Sequence, residues 1–118
     1  MLYEGYWRND KANGKGRLIN KEGEYYEGEW DDDKANGFGI YLSKDGTKYE
    51  GNWKDEKQCG AGKEISKQGD IYQGEFNNGQ KNGYGVFKWI DGNRYEGEFH
   101  NNEIDGKGFF FIFLFIEK

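Results

Sequence analysis

Apolar and polar residues alternate along short runs that return every 23 residues. In Tyr25-Tyr26-Glu27-Gly28-Glu29-Trp30, Tyr26, Gly28 and Trp30 fall on one face, and Tyr25, Glu27 and Glu29 on the other. Period-two alternation with aromatic residues predicts a half-buried strand. Shifting the chain by one period stacks Tyr3, Tyr26, Tyr49, Tyr72 and Tyr95 in one column, with Trp7, Trp30, Trp53, Phe76 and Phe99 four positions on. Between them runs a glycine column, Gly5, Gly28, Gly51, Gly74 and Gly97. A second glycine pair keeps the same step, from Gly14/Gly16 and Gly37/Gly39 to Gly106/Gly108. A fixed period of this length marks a repeat architecture.

After the aromatic strand, polar residues Asp31 to Asn36 read as a loop that ends at the glycine pair. A second short strand follows, as in Gly39-Ile40-Tyr41-Leu42-Ser43. Then come Glu22-Gly23, Asp45-Gly46, Gln68-Gly69 and Asp91-Gly92, each leading into the next aromatic strand. Asp-Gly between strands signals a tight type I′ hairpin, which needs positive φ at both central residues. Each repeat is thus a pair of antiparallel strands, and the array spans roughly 50 Å at ~4.8 Å per strand. Glycine at position 28 leaves room for rings from the flanking strands to lie across it. The rings then form a ladder on one concave face, and Glu4, Glu27, Glu50, Gln73 and Glu96 mark the solvent side.

Two positions depart from the pattern. Glu64 stands where other copies carry Leu18, Tyr41, Phe87 and Phe110, so either the strand bulges there or Glu64 lies at the edge of the stack. Trp89 replaces the small polar residues Asn20, Ser43 and Ser66, which makes it a contact candidate.

The pattern Y-E-G-E-W…N-G-x-G…D-G resembles the MORN (membrane occupation and recognition nexus) repeat family across residues 2–108. One column departs: Asn13, Asn36, Cys59, Asn82 and Asp105 stand where the family often has His. The resemblance implies an all-β, elongated, single-layer antiparallel meander of 23-residue repeats, two strands each, with the fifth copy incomplete. It also implies a non-enzymatic scaffold, as many such proteins are associated with the cytoskeleton, cilia or membrane junctions.

Composition fits a thin stack. Hydrophobic residues make up only 34%, while aromatics reach 19% and there are 20 glycines; a few large rings at regular intervals stabilise a one-dimensional array rather than a ball. The net charge of −5 argues against broad attraction to nucleic acid or anionic membrane. A single cysteine, Cys59, and no visible leader place the chain in the reducing cytosol. Residues 109–118 break the pattern with Phe109-Phe110-Phe111-Ile112-Phe113-Leu114-Phe115-Ile116, too short to span a membrane as a helix. This hydrophobic tail reads as a covered strand, a shallow anchor or a segment foreign to the repeat protein.

No residues group into a catalytic set. His100 shares a loop column with Arg8, Asp31, Lys54 and Asn77; Cys59 has no partner base; Asp31-Asp32-Asp33 lacks the calcium-loop spacing. No cofactor or metal is expected. The ring column Tyr26, Trp30, Tyr49, Trp53, Tyr72 and Phe76, with Trp89 beside it, is the expected binding surface for a helical or extended protein segment. The open strand edges point to a homodimer or docking on a larger assembly. The alternative, peripheral phospholipid binding, would use the lysine columns Lys11, Lys34, Lys57 and Lys21, Lys44, Lys67. A third reading is the regulatory repeat segment of a larger enzyme.

Overall fold

The computed structural model describes residues 1–112. They form ten strands in a single open antiparallel sheet, in chain order throughout. Repeat one gives β1 (Leu2–Arg8) and β2 (Lys11–Ile19); repeat two gives β3 (Tyr25–Asp31) and β4 (Lys34–Leu42). The pattern continues with β5 (Lys48–Lys54), β6 (Lys57–Ile65), β7 (Ile71–Asn77), β8 (Gln80–Lys88), β9 (Arg94–His100) and β10 (Glu103–Phe111). The molecule measures 65 × 27 × 17 Å, so the meander is long and one layer thick.

The two kinds of connection exchange the roles that the sequence suggested. The polar stretch after each aromatic strand is not a six-residue loop. It closes in a two-residue turn, with φ of 48° and 68° at Asp32 and Asp33 and 48° and 72° at Asp55 and Glu56. Positive φ at both central positions is the type I′ geometry, and Asn and Asp reach it because their short polar side chains tolerate the left-handed region. The even strands therefore begin at Lys11, Lys34, Lys57, Gln80 and Glu103, before the glycine pair rather than after it. The Asp-Gly sites and their Glu-Gly and Gln-Gly counterparts sit in wider connections over residues 20–24, 43–47, 66–70 and 89–93. There only the glycine has positive φ, and Ser43 N donates to Thr47 O at 2.8 Å. Asn20, Ser43 and Ser66 each use a side-chain oxygen to accept an amide of their own loop. That is the service Trp89 gives up.

Within each hairpin the register shifts once, between Gly28 and Trp30 in repeat two. Three residues of β4 (Asn36, Gly37 and Phe38) oppose Glu29 alone, and Gly37 takes φ 97° at this bulge. In repeats two and four a glutamate fastens it: Glu29 Oε2 accepts the Phe38 N–H, and Glu75 Oε2 the Tyr84 N–H, each at 2.8 Å.

Glu64 neither bulges nor sits at an edge. It lies in register between Tyr49 and Tyr72, facing the ring side. Its carboxylate meets Lys81 Nζ at 2.8 Å, and that ammonium also stands 5.5 Å from the centre of the Tyr72 ring. A polar pair thus replaces one ring and one small residue.

Phe109, Phe110 and Phe111 belong to β10, paired with Glu96, Tyr95 and Arg94. Covering on both faces is not what the structure shows for them, since all three are exposed. The expectations for residues 113–118 lie outside the described residues.

Candidate functional site

The aromatic columns build the core. Each tyrosine ring lies along its own strand, across the glycine pair of its hairpin. A Cβ on Gly28 would come within 2.5 Å of the Gly39 Cα, and one on Gly39 would strike the Tyr26 ring. The covering ring therefore comes from two residues upstream on the same strand, not from a flanking strand. In all five repeats the phenol donates to the carbonyl at the bulge, as Tyr26 does to Glu29 O at 2.9 Å and Tyr72 to Glu75 O at 2.8 Å. The tryptophan column then joins repeats. Trp53 stands edge-on to Tyr49 of its own repeat (5.1 Å) and to Tyr26 of the preceding one (5.3 Å), near the T-shaped optimum. Its indole N–H donates to Gly39 O at 3.3 Å, and that of Trp30 to Gly16 O at 3.0 Å.

As a result, Tyr26, Tyr49, Trp53, Tyr72 and Phe76 are buried, with Trp53 only 7% exposed. Trp30 is half-buried against them. The trough expected along this column is closed by the rings themselves. Trp89 is half-buried too, packed on Phe87 at 4.8 Å and stacked on Phe110 at 6.5 Å. Burial pushes the phenols of Tyr26 and Tyr72 up to about 12 and raises Tyr49 as well. Tyr41 is also pushed up to about 12, first by burial and then by its hydrogen bond to Glu24. Glu24 is held below the usual carboxylate range by Asn20 and then by Tyr41.

The two lysine columns are not neighbours. Lys11, Lys34 and Lys57 open β2, β4 and β6 beside the type I′ turns. Lys21, Lys44 and Lys67 lie in the connections at the other ends of those strands, so the columns mark opposite long edges of the ribbon. All six are exposed, and Lys44 faces Glu22 at 3.5 Å. Among the described residues, no three His, Cys, Asp or Glu side chains gather as metal ligands would.

The face turned away from the rings carries surface that the sequence reading passed over. Phe38 and Tyr84 are each 53% exposed and occupy one column two repeats apart. Phe38 and Ile40 wall a groove of about 640 Å³ whose floor is the bare backbone of Gly16 and Gly28. Glu4, Arg17 and Glu27 border it, and Arg17 pairs with Glu4 at 3.2 Å. The signal was present: counting alternation through the glycine pair sends Phe38 and Tyr84 away from Tyr26 and Tyr72. A second strand that starts at Gly39 hides it, because Phe38 then falls in the loop.

The family model for the MORN repeat matches five consecutive segments, residues 3–25, 26–48, 49–71, 72–94 and 95–111. The chain belongs to the MORN repeat family. The matched units begin at the five tyrosines, so each MORN repeat is one ring strand, one glycine strand and the connection to the next. Comparison with curated proteins found no match. The MORN array extends through Phe111 and takes in the first phenylalanines of the hydrophobic run.

Proposed function

We propose that this MORN module is a non-enzymatic scaffold that holds a helical or extended protein segment, within a cytoskeletal or ciliary assembly. The observation that carries this reading is the surface facing away from the rings. Phe38 and Tyr84 stand exposed in one column of a rigid sheet, with the half-buried Ile40 and Val86 beside them. Exposed aromatic residues backed by an ordered scaffold are the usual anchors of an interface. The ring column contributes by holding that face flat, rather than by touching the partner. The cytoskeletal or ciliary setting rests on the family resemblance.

Phospholipid binding draws less support. The lysines lie on opposite edges with the acidic Glu22 and Asp33 nearby, and the net charge is −5.

Proximity labelling in cells tests the scaffold reading, comparing the chain with a Phe38→Asp/Tyr84→Asp variant. Both changes are at exposed sites, so circular dichroism should be unchanged. A defined set of neighbours lost in the variant supports the reading. Identical neighbours for both proteins would remove this face from consideration.

A further inference from the structure

The two ends of the sheet are the two halves of the joint that links repeats inside it. At β2–β3, Gly16 pairs with Gly28 and Leu18 with Tyr26. Trp30 reaches back to the Gly16 carbonyl and stands edge-on to Tyr3 at 5.3 Å. Asp33 completes the joint at the turn: its N–H donates to Ala12 O at 3.0 Å, and its carboxylate accepts the Ala12 N–H at 2.6 Å. The same strand register recurs at β4–β5, β6–β7 and β8–β9.

β1 carries one half of this joint. Trp7 is 60% exposed, and among the described residues no carbonyl meets its indole N–H. β10 carries the other half: Gly108, with Phe109 and Phe110 exposed beside it. We propose that β10 of one copy adds to β1 of a second copy, head to tail, in the register of the internal joints. Gly108 then lies opposite Gly5, Phe110 opposite Tyr3 and Phe109 opposite Glu4. Trp7 donates to the Gly108 carbonyl and packs on Tyr95. Asp10, the counterpart of Asp33, accepts the Ile104 N–H, as Asn102 already accepts that of Lys81 at 2.8 Å.

Like ends fit less well. Pairing β10 with β10 leaves Trp7 uncovered, and pairing β1 with β1 supplies no glycine strand for the indole. A contact between unlike edges is heterologous, so copies add in an open row instead of closing as a dimer. This goes beyond partner binding, since it concerns the ends of the array and not its faces.

Cysteine cross-linking of the full chain tests the register. In a Cys59→Ser background, Glu4→Cys and Phe109→Cys would place two Cα atoms directly opposite across the joint, about 4.5–5.5 Å apart and within disulfide reach. Under an added oxidant, the doubly substituted chain should give a ladder of dimer, trimer and higher species on non-reducing gels. An equimolar mixture of the two single variants should stop at a dimer holding one of each. Self-linked dimers of either single variant would overturn the proposal, as would chains that stay monomeric by sedimentation at every concentration. Asp10→Gly separates assembly from folding: glycine keeps the left-handed turn, as Gly79 does in repeat four, so the thermal midpoint should hold while association needs about tenfold more protein. Unchanged association would overturn the assigned joint.

Discussion

At the scale of the residue, the tyrosine does three jobs. Its ring fills the space over two glycines, its edge meets the neighbouring tryptophan or phenylalanine, and its hydroxyl satisfies the carbonyl that the bulge leaves out of the ladder. Only glycine fits beneath it, because any Cβ at position 28 would meet the Gly39 backbone at 2.5 Å. The phenols must stay protonated to do this. Folding raises Tyr26 and Tyr72 from 10.0 to about 12, so the folded chain binds more protons than the unfolded one between those values. Their contribution is complete below pH 10 and is lost as pH rises towards 12. Thermal midpoints measured from pH 9 to 12 should fall steeply in that window, with the tyrosinate signals of Tyr26 and Tyr72 appearing together with unfolding. Ionisation of Tyr26 and Tyr72 near pH 10 without loss of structure would contradict this.

At the scale of the element, hairpins tolerate a local exchange of chemistry if the register holds. Repeat three lacks the ring of column 64 and repeat four lacks the small residue of column 81, and the two losses meet as Glu64–Lys81. The Lys81 side chain is 15% exposed, so it is poorly hydrated and depends on its partner. Glu64→Ala should cost about 1–2 kcal/mol in denaturant unfolding by leaving that ammonium unpaired. The double variant Glu64→Tyr/Lys81→Ala, which restores the residues of repeat two, should be at least as stable as the parent. A thermodynamic cycle over the two sites measures the coupling.

At the scale of the whole molecule, each strand pairs only with its sequence neighbours, and among the described residues the rings reach no further than the adjoining repeat. Stability is then a sum of local terms with nearest-neighbour coupling. Burial is deepest at Tyr49, Tyr72 and Tyr95 and weakest at the two outer strands, β1, where Trp7 is open, and β10, where Phe109 is open. Hydrogen exchange at dilute protein should therefore show the strongest protection from β5 to β9, with amides of β1 and β10 exchanging first. Uniform protection along the array would mean one cooperative unit instead.

The sequence alone determined the strand count, the 23-residue step, the order of strands and the family. All of these follow from period-two alternation and from columns that never slip. It also placed the Tyr, Gly and Trp columns on one face, and the structure keeps them there. Tertiary structure decided which hairpin is tight, because Asp32-Asp33 and Asn9-Asp10 reach left-handed backbone without the glycine that would have signalled it. It decided what Glu64 does, since its partner sits 17 positions away and becomes a neighbour only across the strands. It decided, too, that the rings close on themselves and that Phe38 and Tyr84 remain outside. Alternation assigns a side chain to a face, but only packing against the next strand determines whether that face is filled.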